Sequence, residues 1–132
     1  MANLSTLLSA SVIVSDTTLS PSPQIITRSL NNPTNAATTV VFYDPFFQAP
    51  AAGLAVTLPA SPSFIAYVKN LDAAANLTVA WTAVGAAGSS TMVLVPGGIF
   101  IYFQPSEAAG GFTAMTLTAS AGTINTEVLI AK

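Results

Sequence analysis

Short segments in which apolar and polar residues alternate, separated by turns that contain Pro and Gly, recur along this chain. The segment LTVAWT at 77–82 shows the pattern clearly. In an extended strand, Leu77, Val79 and Trp81 project to one side, and the residues between them project to the other. The turns recur about every 8–12 residues, as in all-β sandwiches, and the gaps are too short for the crossovers of parallel sheets. The sequence predicts an all-β fold: a single antiparallel β-sandwich with jelly-roll or Greek-key connections.

Individual strands are predicted from this pattern at 11–15, 24–30, 38–43, 54–58, 64–70, 77–82, 91–95, 99–104, 112–120 and 123–130. Residues 46–53 are predicted to form an irregular, hydrophobic loop. The segment IFIYFQ at 99–104 is apolar on both faces, which favours a central strand or one covered on both sides. The length of 132 residues fits one domain over 1–132. Residues 1–20 form either an extended N-terminal arm or a β segment after a frayed end.

Charged residues are scarce, and this limits the chemistry that the side chains can perform. They make up 6% of the chain, against about 25% in an average soluble domain, and the chain has no His and no Cys. Ser–His triads, cysteine nucleophiles and zinc sites of the usual kinds are therefore excluded. Asp44 and Asp72 stand in predicted turns, where Asp bonds the backbone. We expect no catalytic residues, no enzymatic activity, no metal and no cofactor.

The composition also argues against two classes of partner. The three cationic residues lie far apart in the sequence, whereas nucleic-acid binding requires clustered Lys and Arg. Mean hydropathy is high, at +0.65, but Pro and Gly interrupt each apolar stretch before it reaches the roughly 20 residues of a membrane-spanning helix. We expect neither a nucleic-acid partner nor a membrane.

Three aromatic residues are candidate interface residues: Phe46, Phe47 and Tyr102. The first two belong to the Pro-containing segment DPFFQAP at 44–50, and exposed loop aromatics often anchor protein interfaces. The alternative is that this segment folds back over the end of the sandwich. Trp81 is expected in the core, and the alternative is a sugar-stacking platform formed with Tyr102.

A series of short motifs in the second half resembles a known protein type. They appear in the order KNL at 69–71, LTVAW at 77–81, VPGG at 95–98, QP at 104–105 and LTAS at 117–120. In this order, residues 67–132 resemble small β-sandwich virion structural proteins of tailed bacteriophages. The motifs are structural rather than catalytic, and the first half of the chain carries no matching motif.

The resemblance implies a virion structural protein, in the first place a capsid decoration or cement subunit that stabilises a phage head through apolar contacts between subunits. Its partners would be the major capsid protein or neighbouring virion subunits, and it would itself form a homo-oligomer, for which a trimer fits a site between capsid subunits. Its location would be the virion, assembled in the host cytoplasm. The alternative is a head or tail accessory module that binds a host receptor or carbohydrate.

Overall fold

The computed structural model describes residues 9–16, 24–31, 40–59, 62–63, 65–104 and 111–132. The chain divides into two compact units, Met1–Thr38 and Thr39–Lys132. In the first unit, β1 (Ser9–Asp16) and β2 (Gln24–Asn31) form a two-stranded antiparallel sheet, and both strands fall where the sequence predicts them. The rest of the expected N-terminal arm, residues 1–8 and 17–20, lies outside the described residues. The arm and the assignment of 1–132 to one domain therefore stay predictions.

In the described part of Thr39–Lys132, eight strands form nested pairs, in which the first strand in the sequence pairs with the last, the second with the second to last, and so on. The pairs are β3 (Val40–Pro50) with β10 (Thr123–Ala131), β4 (Leu54–Ala55) with β9 (Phe112–Ala119), β5 (Ile65–Asn70) with β8 (Ile99–Phe103), and β6 (Leu77–Ala83) with β7 (Ser90–Leu94). Successive pairs alternate between two four-stranded antiparallel sheets, with strand orders β3-β10-β5-β8 and β4-β9-β6-β7. This nested pairing is a jelly roll, and the predicted antiparallel sandwich is confirmed.

The core lies between the inner faces of the two sheets, and the predicted alternation of side chains decides which residues fill it. β6 buries Leu77 and Val79, and β10 buries Ile124, Val128 and Ile130. The predicted strand at 64–70 is observed as β5, which buries Ala66 and Val68, while Phe64 lies outside the described residues. The other buried apolar residues of the main cluster are Phe47, Ala49, Val56, Leu94, Phe100, Phe112, Met115, Leu117 and Ala119.

Strand β3 corrects the prediction of a loop at residues 46–53. The strand continues to Pro50, and its pairing with β10 holds the segment in the sheet. Thr126 pairs with Phe47 and Val128 pairs with Asp44, so β3 contains one extra residue at this point, which is a β-bulge. The bulge breaks the alternation that marks a strand in the sequence. Because β3 is an edge strand, it also accommodates Pro45, which has no N–H to donate.

Strand β8 corrects a second prediction. The apolar segment 99–104 was expected in the middle of a sheet or under cover on both faces, but β8 is the edge strand of its sheet. Phe100 is buried in the core, whereas Ile99 and Ile101 are 49% and 40% exposed. Apolar residues on both faces of β8 therefore do not show that other strands or layers of the described chain cover both faces.

Asn70 connects the end of β5 to the two turns that precede β6 and β8. Its side chain is fully buried and donates hydrogen bonds to the carbonyl oxygens of Ala75 (2.9 Å) and Leu94 (3.2 Å). Its Oδ1 atom accepts a hydrogen bond from the N–H of Asp72 (3.0 Å). Asp72 Oδ1 in turn accepts hydrogen bonds from the N–H groups of Ala74 and Ala75. One buried amide thus ties three chain segments together, which fixes where β8 begins.

The turn before β8 has a defined geometry. Gly98 N–H donates to the carbonyl of Val95 (2.8 Å), Pro96 occupies the second position, and Gly97 has φ +76° in the third, as a type II turn requires. The Gly97 N–H donates to the Asn70 carbonyl, and the Asn70 N–H donates to the Gly98 carbonyl. Two residues of the turn therefore oppose one residue of β5, which sets the register of the β5–β8 pair.

Candidate functional site

The outward side of the sheet β3-β10-β5-β8, here called the outer face, carries a row of large side chains. In the register of the sheet, Tyr43 lies opposite Leu129, Leu129 opposite Tyr67, and Tyr67 opposite Ile101. Tyr43 is 55% exposed, Ile101 is exposed, and Leu129 and Tyr67 are half-buried. The row crosses all four strands, so one continuous surface presents aromatic and aliphatic groups to the outside.

Glu127 lies next to this row, and both tyrosines donate hydrogen bonds to it. The Tyr43 hydroxyl is 3.2 Å from Oε1, and the Tyr67 hydroxyl is 3.4 Å from Oε2. Lys69 is the cross-strand neighbour of Glu127 on β5. The carboxylate therefore fixes two phenol rings, from strands on either side of β10, in defined positions.

The environment of the two phenols disfavours their ionisation. Desolvation, the hydrogen bond to Glu127 and the negative charge of Glu127 raise the pKa of Tyr43 above its ordinary value of 10.0. Burial and the charge of Glu127 likewise raise the pKa of Tyr67. Both hydroxyls therefore stay protonated at neutral pH and act as hydrogen-bond donors.

The bulge in β3 adds Phe46 to the outer face. The Phe46 N–H donates to Asp44 Oδ1 (2.9 Å), which stabilises the irregular backbone, and the ring is 67% exposed. Phe47 is 8% exposed and belongs to the core. Because side chains alternate along a strand, Phe46 projects to the opposite side from Phe47, which is the side of Tyr43.

The structure separates the three predicted interface residues. Phe46 lies on the exposed outer face. Phe47 is buried, with its ring edge-on to Phe42 at 6.1 Å between centroids. Tyr102 is half-buried, with its ring centroid 5.3 Å from that of Phe112 and 6.3 Å from that of Trp81. Both alternatives for the segment assume a loop, whereas Phe46 and Phe47 lie in strand β3, and a role of any of the three residues in an interface stays a prediction.

Trp81 also packs towards the core, as the alternation predicts. The residue is half-buried, and its ring lies 4.8 Å from that of the buried Phe100. Part of the ring surface that a sugar would need is therefore covered by protein.

Five residues of the outer face are not among the candidates predicted from the sequence: Tyr43, Tyr67, Ile101, Glu127 and Leu129. The alternation places Tyr67, Glu127 and Leu129 on outward positions of their strands. It does not give the order of strands in the sheet or their register. Because these residues are neighbours through strand pairs that are distant in sequence, no local sequence pattern indicates the cluster.

The second sheet has a different outward side. In its register Thr118 lies opposite Thr78, Thr78 opposite Val93, and Ala80 lies between Thr116 and Thr91. These side chains are small, and none of these positions carries a charge. Among the described residues of the sandwich surface, the aromatic groups are therefore concentrated on the outer face defined above.

Comparisons with protein-family models, with curated proteins and with solved structures find no match for this chain. Within the described residues, no group of three or more acidic side chains is placed to hold a metal ion. The described residues also contain no helix long and apolar enough to cross a membrane. The resemblance to virion proteins of tailed phages therefore stays a prediction.

Proposed function

We propose that this chain is a structural subunit of a virus particle, specifically a decoration or cement protein that binds the capsid of a tailed phage through its outer face. The observation that carries the proposal is the row Tyr43–Leu129–Tyr67–Ile101 together with Phe46 on one exposed sheet face. Aromatic side chains that are held in place and exposed are the residue type that dominates binding at protein interfaces. Clustered apolar groups of this kind mark interaction sites on soluble proteins.

Two further features support this assignment. The jelly roll is a topology used by viral capsid proteins, although lectins and cupins share it, so the fold alone does not decide the function. The low content of charged residues, 6%, suits a subunit whose surface is covered in a permanent assembly, because obligate interfaces resemble a domain core. The neighbouring capsid subunits would then cover the phenol and phenyl rings.

The alternative function, an accessory module that binds a host receptor or carbohydrate, is less favoured. Its expected platform consists of Trp81 and Tyr102, and both rings lie half-buried against Phe100 and Phe112. An open stacking surface would need at least one of these rings to be free on one face. A glycan array provides the direct check on this alternative, and no binding is expected.

The test of the proposed function uses particles purified from the virus that encodes the chain. We expect the protein in high copy in these particles, and electron cryomicroscopy should show the jelly roll with its outer face towards the shell. Particles that lack the protein would contradict the proposal, whatever the oligomeric state of the purified chain.

A pair of variants tests whether the outer face makes the contact. Phe46→Ser removes a 67% exposed ring from that face, and Val84→Ser removes a 45% exposed side chain from the turn after β6. Undecorated shells should bind Phe46→Ser about tenfold more weakly or worse, since interface anchors contribute more than about 1–2 kcal/mol. Binding of Val84→Ser should be unchanged. Equal binding of both variants would show that another surface contacts the shell.

A further inference from the structure

The four edge strands of the jelly roll differ in how they are protected against pairing with other chains. β3 and β8 are the edges of one sheet, and β4 and β7 are the edges of the other. An unprotected edge is a template for a further strand, and proteins block it with charges, Pro, bulges or very short strands. β4 has two residues, and β3 contains Asp44, Pro45 and a bulge.

The edges β7 and β8 carry none of these devices. Both lie within residues 73–106, a stretch of sequence without a single charged residue. β7 (STMVL) and β8 (IFIYF) contain no Pro, and their pairings with β6 and β5 run without a register shift. Since the short Val95–Gly98 turn joins them, these two edges lie on the same side of the sandwich. Among the described residues, the edges β3 and β4 are thus blocked, and the edges β7 and β8 are open.

The register shows which backbone groups of β8 are available. The Asn70 N–H donates to the Gly98 carbonyl, and the same register pairs Val68 with Phe100 and Ala66 with Tyr102. In an antiparallel ladder, hydrogen-bonded pairs alternate with pairs that make no such bonds. Phe100 and Tyr102 therefore bond to β5, and the N–H and C=O groups of Ile99, Ile101 and Phe103 point away from it. Among the described residues, no strand pairs with β8 on that side.

We propose that the open edge of β8 pairs antiparallel with β8 of a second copy of this chain, about a two-fold axis at Ile101. The strand matches itself in this register. Ile101 meets Ile101 of the second copy, and Ile99 meets Phe103, so every residue with outward backbone groups meets another such residue. These are the hydrogen-bonded pairs of an antiparallel ladder.

The side chains fit the same arrangement. Phe100, which is buried, would lie opposite Tyr102 of the second copy and extend the aromatic layer of the core across the axis. On the outer face, the Ile101 side chains of the two copies, each 40% exposed, would meet at the axis. The Ile99 side chains, each 49% exposed, would flank them on either side. No charge would be buried, since residues 73–106 contain none. The edge of β8 in a second copy therefore matches the open edge of β8 in its backbone hydrogen bonds, its side-chain packing and its lack of charge.

The inference rests on the proposed function only in expecting that the subunit associates with itself. It makes a two-fold pair the unit of assembly, in place of the trimer that the resemblance suggested. Its test uses purified protein without particles. Failure of pairing through β8 can thus be told apart from failure of the virion assignment.

Single cysteines test the register, because the chain has none of its own. In the proposed pair, the two residues at 101 face each other with Cα atoms about 5.5 Å apart, within the range that a disulfide spans. The two residues at 99 are offset by four positions, or roughly 13 Å, which is too far. Under mild oxidation, Ile101→Cys should form a covalent dimer rapidly and Ile99→Cys should not. Both sites are exposed to a similar degree, so Ile99→Cys is a matched control.

Hydrogen exchange of the unsubstituted protein provides a readout that does not depend on a variant. The amides of Ile99, Ile101 and Phe103 should exchange fast in dilute solution and slowly at concentrations where sedimentation shows a dimer. Those of Phe100 and Tyr102 should be slow throughout, since they bond to β5. Equal crosslinking of the two cysteine variants would overturn the proposal, as would a trimer or a monomer at all concentrations. Outward amides that are already slow in the monomer would also overturn it, because a segment of the same chain would then cover the edge.

Discussion

Replacing Asn70 by Ala should destabilise the jelly roll strongly, although the residue has no part in the exposed surfaces. The substitution removes three side-chain hydrogen bonds, to Ala75, Leu94 and Asp72. Each contributes about 1 kcal/mol net, and the bond to Leu94 is buried, so loss of the donor leaves a carbonyl unsatisfied at a further cost of about 1–3 kcal/mol. The sum is a loss of about 4–6 kcal/mol, a large part of the roughly 5–15 kcal/mol of a typical domain.

Urea denaturation followed by circular dichroism measures this loss. With a slope of about 2 kcal/mol per molar urea, the midpoint should fall by about 2–3 M. Asn125→Ala is the matched control, since Asn125 is exposed and its side chain bonds to exposed Gln48. That variant should stay within about 0.5 kcal/mol of the unsubstituted protein. The amides of Gly97 and Gly98 should also lose exchange protection in Asn70→Ala. Similar midpoints for the two variants would refute the role assigned to Asn70.

Three further predictions concern two acidic side chains with defined hydrogen-bond partners and one buried hydroxyl. Glu127→Gln should lower the raised pKa values of Tyr43 and Tyr67 towards 10.0 without reaching it, because desolvation remains. The raised pKa values stabilise the fold below pH 10.0, and this stability is lost as pH rises through them. In Glu127→Gln, tyrosinate absorbance should therefore appear at lower pH, and the pH dependence of alkaline melts should weaken. Identical titrations of the two proteins would contradict the assignment. Hydrogen bonds from Ala75 and Ala74 lower the pKa of Asp72, so its carboxylate stabilises the fold above pH 3.8 and ceases to as pH falls through the lowered value. Asp72→Asn should therefore flatten the loss of Tm in acid, and superimposable acid profiles would count against this. Ser63 Oγ is buried without a hydrogen-bond partner among the described residues, so Ser63→Ala should be neutral or stabilise by up to about 1 kcal/mol, and a clear loss in urea denaturation would show a missed partner.

The parts of the fold that follow from local pattern could be predicted from the sequence. The alternation Leu77, Val79 and Trp81 gave the inward face of β6, and that of Ile124, Val128 and Ile130 gave the inward face of β10. These predictions are confirmed because burial on one face imposes a period of two on the side chains. The bulge at Asp44 and Pro45 shifts that period, so the sequence predicts a loop at residues 46–53 where the structure has a strand.

The outer face could not be predicted, because it depends on which strands are neighbours. Tyr43 and Glu127 are 84 positions apart, and Tyr67 and Glu127 are 60 positions apart. Sequence patterns specify the face on which a residue lies, but the register between distant strands is set by the jelly-roll winding of the whole unit. The prediction of a central or doubly covered strand at 99–104 fails for a related reason. A strand that is apolar on both faces looks the same whether its own chain or another copy covers it.

The distribution of charge in the chain separates two kinds of surface. Asp44 and Asp72 bond local backbone groups at the bulge and at the turn after β5, and Glu127 orients two phenol rings. Each of these acids thus has a structural role in the fold. The edge strands β7 and β8 contain no charged residue. A lysine at either edge would block pairing with another chain, and in a monomer its exposed side chain would destabilise the fold little. Among the described residues, the absence of a lysine from the side that has neither a bulge nor a shortened strand supports the proposed pairing of β8 with a second copy.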